Sequence, residues 1–348
     1  MLESVNLSLS TACTANCIFC PSNRGHSIKQ KSMSFNTAQK IIEEISSEEF
    51  KNHHHIKNME LGENGDAFLN KDFMKILRLI KLKLPNIQVV LHTNFQNFEK
   101  TMAEEMIRER LLSQIVCNID GFNEQNYFHV KKLNFNKTWN NLKDFVRLRK
   151  ELNNQVPIRI LVLTLNNYIH TVHNNLGVYP IKLKNPKLKK VPDDFKLIKR
   201  QLDRILNPRI DSIIKSWVFA WAEREQIDTS KINYKRYACP NLIRLKRDAF
   251  IAPDGTWYAC CLDSNYDLSL GNVLESSIQK IYDSEKRKQL IYLLTKKQFA
   301  RIGGPCKTVN CCQIMNKNLL LSNIARIVQK NTLLMKIATK DASSISLE

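Results

Sequence analysis

Three cysteines stand close together near the start of the chain, in Cys13-Thr14-Ala15-Asn16-Cys17-Ile18-Phe19-Cys20, at positions i, i+4 and i+7. A compact loop can aim all three sulfurs at one cube of iron and sulfide. Ordinary [4Fe–4S] clusters take four thiolates. This loop offers three, which leaves one iron without a protein ligand, and an open metal position is where chemistry can happen. The same three residues also suit a zinc site with a fourth ligand elsewhere, or a redox switch. A second set follows far along the chain: Cys239, Cys260, Cys261, Cys306, Cys311 and Cys312. Four of those suffice for a fully ligated cube or for structural zinc.

Composition bounds the context. A chain of 348 residues with 43% hydrophobic content can build a real core and has room for roughly two domains. Residues 1–12 carry no basic region followed by an apolar run, and no stretch approaches the ~20 apolar residues of a membrane span. A cytoplasmic protein is expected, and ten cysteines in a reducing compartment favour metal ligation over disulfides. The net charge of +20 permits a nucleic-acid surface. Lysines are nevertheless scattered along the chain. The densest run, over residues 182–190, is broken by Pro186 and closed by Pro192, so it reads as a solvated loop. His53-His54-His55 precedes a strand and also reads as solvated loop.

The elements that must position the cysteines alternate. Val5-Asn6-Leu7-Ser8-Leu9-Ser10 switches between apolar and polar residues and predicts a strand that ends at the first cysteine loop. Strands are expected over 56–61, 87–91, 115–119, 158–165 and 213–219, with helices over 35–46, 73–84, 100–112, 139–152 and 193–206. Such alternation argues for a parallel sheet with helices outside, and catalytic groups then sit at the carboxyl ends of the strands. Later, residues 243–251 alternate like a strand, Pro253-Asp254-Gly255-Thr256 is a hairpin turn, and Trp257-Tyr258-Ala259 starts the return strand. That hairpin brings Cys239 and Cys260 side by side. Residues 313–348 read as an amphipathic basic helix or two and a polar tail.

The first motif resembles the CxxxCxxC signature of radical S-adenosylmethionine (SAM) enzymes, including the aromatic Phe19 before the third cysteine. The resemblance implies a partial six-stranded (β/α) barrel, a SAM-binding [4Fe–4S] cluster on Cys13, Cys17 and Cys20, and reductive cleavage of SAM to a 5′-deoxyadenosyl radical. Gly62-Glu63-Asn64-Gly65-Asp66-Ala67 resembles the family's Gly-Gly-Glu-Pro, with Asp66 in the place of the glutamate that holds the SAM ammonium and Gly65 allowing close approach. Thr93-Asn94-Phe95 resembles Thr-Asn-Gly. Asn118-Ile119-Asp120-Gly121 resembles Ser-x-Asp-Gly, with Asn118 toward the SAM ribose or carboxylate. Thr164 and Asn166 are implied at the adenine and ribose end.

The C-terminal pattern is similar to the SPASM or twitch domain of such enzymes. It comprises the Cys239…Gly255…Cys260 hairpin, Cys260-Cys261-x-Asp263, Leu270-Gly271-Asn272 and Pro305-Cys306. The resemblance implies one auxiliary [4Fe–4S] cluster on Cys239, Cys260, Cys306 and either Cys312 or Cys311. Cys261 and Cys117 are expected to be structural thiols. The implied organisation is a barrel over 1–235, a small α+β auxiliary-cluster domain over 236–315 and a basic helical tail over 316–348. The expected activity is hydrogen abstraction that oxidises, epimerises or otherwise modifies a small molecule or carbohydrate, with reductant supplied by a flavodoxin or ferredoxin. The first strand begins near Val5, so no leader-binding module is expected before the barrel. The alternatives are a peptide or protein maturase, an RNA-modifying enzyme or a zinc-structured binding protein.

Overall fold

The computed structural model describes residues 1–18, 20, 31–164, 182–183, 195–217, 227–228, 237–239, 241–304, 306 and 315–316. Phe19, Asn166, Cys311, Cys312, most of the lysine run over 182–190 and nearly all of the tail lie outside the described residues.

The strands are β1 (Ser4–Leu7), β2 (Asn58–Leu61), β3 (Gln88–Thr93), β4 (Gln114–Asn118), β5 (Ile158–Thr164), β6 (Lys182–Leu183), β7 (Ser212–Trp217), β8 (Ile227–Asp228), β9 (Tyr237–Ala238), β10 (Asp248–Ile251), β11 (Thr256–Tyr258), β12 (Ser269–Asn272) and β13 (Met315–Asn316). The helices are α1 (Phe35–Ser46), α2 (Glu48–His53), α3 (Phe73–Lys83), α4 (Lys100–Arg108), α5 (Glu124–Lys131), α6 (Phe135–Glu151), α7 (Phe195–Leu202), α8 (Leu242–Arg247), α9 (Ile278–Tyr282), α10 (Glu285–Thr295) and α11 (Phe299–Ile302).

One nine-stranded sheet organises the chain, in the order β12-β11-β10-β1-β2-β3-β4-β5-β7. The run β1-β2-β3-β4-β5-β7 is parallel throughout. It forms the expected six-stranded partial barrel. Alternation sorts its two faces. Val5, Leu7, Met59, Leu61 and Leu91 are buried and share one core with Ile41, Ile42, Ile76 and Ile80 of the outer helices. Asn6, Ser8, Glu60 and His92 alternate with those residues and take the inner face. Helix α1 starts where Ser34 accepts a hydrogen bond from Thr37 N, and it buries Ile41, Ile42 and Ile45. At the amino end of β5, the buried Arg149–Asp211 pair (2.7 Å) closes β5 against β7, and Asp211 also accepts from Ile158 N.

The C-terminal hairpin joins the same sheet. Strand β10 pairs parallel with β1, from Ser4↔Asp248 to Leu7↔Ile251, and β11 and β12 continue it antiparallel. Gly255 sits in the turn at φ +82, where a Cβ would meet Asn272 Oδ1 at 2.8 Å.

Three expectations need correction. Residues 243–251 are not one strand: α8 covers Leu242–Arg247, and only Asp248–Ile251 is extended. The alternation misled because it also fits a short helix with Leu245 buried and Ile243 exposed at its surface. Arg244 then reaches Asp248 Oδ2 one turn on, at 2.8 Å. His54 is not solvated. It is 3% exposed, its Nδ1 accepts from Leu2 N, and its ring packs edge-on against Phe50 and Tyr282 at 4.6 Å. Helix α5, absent from the elements expected above, is capped by Asn123 accepting from Asn126 N and buries Tyr127 and Val130.

Candidate active site and metal centres

The first cysteine loop leaves the carboxyl end of β1 and is closed at its neck. Met33 N donates to Leu9 O, Thr11 N donates to Lys31 O, and Ser10 bridges Ser32. Asn70, 3% exposed, ties both sides, donating to Leu9 O at 2.7 Å and Met33 O at 2.8 Å. Beyond the neck the loop rests on α5: Asn16 N donates to Lys131 O (3.0 Å) and Ile18 N to Val130 O (2.9 Å). Those carbonyls belong to the last turn of a helix, where acceptors lack partners within the helix.

Polar groups from neighbouring strand ends surround Cys13. Asn94 Nδ2 lies 3.6 Å from Cys13 Sγ and 3.3 Å from Thr14 Oγ1. Asn97 Nδ2 reaches Thr14 Oγ1 and Asp66 Oδ2, both at 3.4 Å. Asp66 is fully buried; its Oδ1 accepts from Phe68 N at 3.2 Å and caps the short turn Ala67–Leu69. Burial pushes the Asp66 carboxyl up to about 6. Asp66 N donates to Ala12 O at 2.8 Å, so this segment lies against the chain entering the cysteine loop. Gly65, at φ +105, has no room for a side chain: a Cβ would lie 2.1 Å from Ser10 O. Asn118 ends β4 at the same edge, and Thr164 ends β5. Asn97 is a candidate that motif matching does not find, brought beside Thr14 and Asp66; its one signal is its place three residues after Asn94 in the loop after β3.

Below these groups the inner face is polar. His92 Nε2 stands 3.3 Å from Glu60 Oε2, with both side chains under a third exposed. With its amide nitrogen turned toward them, Asn6 reaches Glu60 Oε2 and Glu63 Oε2 at 3.1 Å. Glu63 pairs with Arg244 Nη1 at 3.4 Å, and burial raises its carboxyl above the usual range. Arg244 Nη1 also donates to Cys261 Sγ at 3.2 Å. A connected polar chain thus runs from the barrel interior to the neighbour of Cys260.

Every described cysteine is a free thiol. Burial raises Cys13 to about 11 and Cys17 to about 12. Cys239, Cys260 and Cys306 are brought together: the Cys306 proton feels both of the others, and burial lifts Cys239 to about 12. Cys260 moves the other way, because Cys261 hydrogen-bonds to it; Asn241 Nδ2 (3.2 Å) and Leu262 N (3.5 Å) also point at its sulfur. Among the described residues no three His, Cys, Asp or Glu side chains close around a single ion. A cube instead takes its thiolates at separate corners. Two groups of free thiols, with amide donors at Cys13 and Cys260, suit iron–sulfur ligation, in which thiolates bind the metal. Cys117 is fully buried on β4 and Cys261 is buried beside Arg244.

A family model described as the Radical SAM superfamily matches residues 7–171. A second, described as an iron-sulfur cluster-binding domain, SPASM, matches residues 239–313. The chain is a radical SAM enzyme with a C-terminal SPASM domain. Its cofactors are accordingly SAM, a [4Fe–4S] cluster and auxiliary iron–sulfur ligation. Solved structures agree on the fold of this radical SAM enzyme. Native anSMEcpe with bound AdoMet is 14% identical, with 97% of this chain and 99% of that one covered, at a TM-score of 0.57. Streptococcus suis SuiB bound to S-adenosylmethionine is 15% identical over 90% of this chain and 72% of that one (TM-score 0.54). BtrN in complex with AdoMet and 2-DOIA is 11% identical over 88% and 92% (TM-score 0.50). No curated protein matches the chain. No helix among the described residues is long and apolar enough to cross a membrane.

Proposed function

We propose that this enzyme oxidises a polar small molecule or carbohydrate inside the barrel, using SAM at the loop over residues 13–20 and an auxiliary cluster at the C-terminal cysteines. The observation that supports this reading is the polar inner face, where Asn6, Glu60, His92, Glu63 and Arg244 form a connected set beneath the cysteine loop. Half-buried carboxylates, an imidazole and a guanidinium suit a hydroxyl- or amine-bearing substrate, because each hydrogen bond to a charged group carries orientation as well as affinity.

In this reading Cys13, Cys17 and Cys20 hold the first cluster, which when bound supplies the electron that cleaves SAM. Asp66 takes the SAM ammonium, with Asn97 fixing its carboxylate. Phe19, Gly65, Asn118, Thr164 and Asn166 complete the SAM site. Cys239, Cys260, Cys306 and Cys312 hold the auxiliary cluster. Met315 stands opposite Ala238 across the β9–β13 ladder, and three residues span at most about 11 Å, so chain length allows Cys312 to join Cys239.

The test is anaerobic incubation of reconstituted, reduced protein with SAM and two substrate sets: hydroxylated small molecules including sugars and aminocyclitols, and short peptides. A product lighter by two hydrogens, with 5′-deoxyadenosine formed in step, is expected from the first set. Turnover of peptides alone would overturn the substrate class.

A further inference from the structure

We propose that the buried Asp120–Lys131 ion pair sets the reduction potential of the SAM-binding cluster, with Lys131 as a positioning residue for the cysteine loop. The inference rests on the assignment of that cluster to Cys13, Cys17 and Cys20.

Lys131 Nζ lies 2.8 Å from Asp120 Oδ2, and the two side chains are only 6% and 0% exposed. The pair joins the end of β4 to the last residue of α5. Gly121 makes this approach possible: a Cβ there would lie 2.5 Å from Tyr127 N, so the turn after Asp120 rests directly on α5. The same end of α5 grips the cysteine loop. The carbonyls of Val130 and Lys131 accept from Ile18 N and Asn16 N, the residues on either side of Cys17. Cys17 is therefore held between two hydrogen bonds to the residue that carries the buried ammonium and the one before it. The helix stops there, with Lys132 at φ 58.

A buried ion pair is a poor choice for stability alone, since apolar packing of similar volume does as well or better. Its location gives it another use. Reduction adds negative charge to a cube already surrounded by thiolates. A nearby ammonium favours the reduced state and a nearby carboxylate opposes it, and both act strongly where water is excluded. Surrounding charge and burial are among the levers that set the potential of such clusters. The Lys131 charge is felt at both Cys17 and Cys13.

The experiment compares wild type with Lys131→Met, Lys131→Arg, Asp120→Asn and the double variant Asp120→Asn/Lys131→Met. Each is reconstituted anaerobically, assayed for iron and sulfide, and titrated by EPR on the signal that changes when SAM is added. Lys131→Met should shift reduction tenfold or more toward the oxidised cluster, which is 59 mV downward for a one-electron couple. Asp120→Asn should shift it upward, the double variant should return toward wild type, and Lys131→Arg should stay near wild type. A structural role alone gives no such reversal of sign. Shifts of Lys131→Met and Asp120→Asn in one direction, or none in either, at full iron content, overturn the proposal. If Lys131→Met loses iron, Asp120→Asn at full iron with an unmoved potential overturns it by itself. A wild-type protein with no SAM-responsive signal would instead refute the ligand assignment.

Discussion

Asp66 carries two opposed demands. Burial lifts its carboxyl to about 6, so folding at neutral pH holds an ionised group in a place that prefers the neutral one. An acid whose folded pKa is raised favours the fold below its unfolded value, and that advantage is lost as pH rises to the folded value. The unfolded value is about 3.9, so the penalty develops between roughly pH 4 and 6 and is complete at neutrality, at about 3 kcal/mol. Asp66→Asn should therefore raise the melting temperature of the SAM-free protein at pH 8, with the gain shrinking toward pH 4. The same change should weaken SAM binding in calorimetry by about 1.5–3 kcal/mol, the scale of a hydrogen bond to a charged group. Greater stability at pH 8 with unchanged SAM affinity would show that Asp66 does not meet the ammonium. Gly65 next to it admits no side chain, so Gly65→Ala should destabilise the protein and loosen the cysteine loop, read as iron lost on gel filtration.

The neck of the cysteine loop depends on Asn70, which satisfies two buried carbonyls at once. Asn70→Ala leaves both without it and should cost about 2–3 kcal/mol in denaturant unfolding. Asn70→Asp, which cannot donate, should be no better. Lys31 adds a tie from the neck to the hairpin turn at Asp254, 2.6 Å away; it is partly exposed and contributes little. Elements such as these show what the sequence could and could not reveal. Helix α1 was legible because Ser34 caps it and its three isoleucines share one face. The parallel strands were legible from alternation. Helix α5 was not, because its eight residues mix Tyr127 and Val130 with polar groups and carry no clear stripe. Helix α8 is hidden in the sequence because six residues are too short for a helical period to stand out against the alternation that continues into β10. The cysteines announced themselves by spacing. Asn97, Asn70 and the Asn6–Glu60–Glu63 contacts did not, since nothing in the sequence says which polar residue faces inward across strands far apart in the chain.

At the scale of the whole molecule, two separate groups of thiols predict about eight irons per chain after anaerobic reconstitution, four for each cube. Replacing Cys13, Cys17 and Cys20 together with Ala should remove about half of them and abolish 5′-deoxyadenosine formation with a strong reductant. Cys239→Ala or Cys260→Ala should keep SAM cleavage and lose substrate turnover, because a closed auxiliary cluster does not open an iron to SAM. Formation of 5′-deoxyadenosine by the triple variant would reverse the two roles. The net charge of +20 is tested separately by RNA titration across salt concentrations; binding only at low salt marks a solvated basic surface.

The parallel pairing of β1 with β10 also fixes an order of events during synthesis. Residues 4–7 leave the ribosome well ahead of residues 248–251, yet one edge of their strand waits for that later segment. At about 5–20 residues per second the wait is roughly 12 to 50 s. Throughout it, the strand that leads into Cys13 has an unpaired edge, and its cysteines stand beside a sheet that is not yet closed. Iron delivered in that interval meets a loop that already rests on α5 and the Asp66 segment but hangs from a strand still missing one neighbour. A firmly held cluster is therefore expected only once residues 248–251 have paired with β1. A protein truncated before Asp248 should bind iron loosely and aggregate through the open edge of β1, where the full chain stays monodisperse.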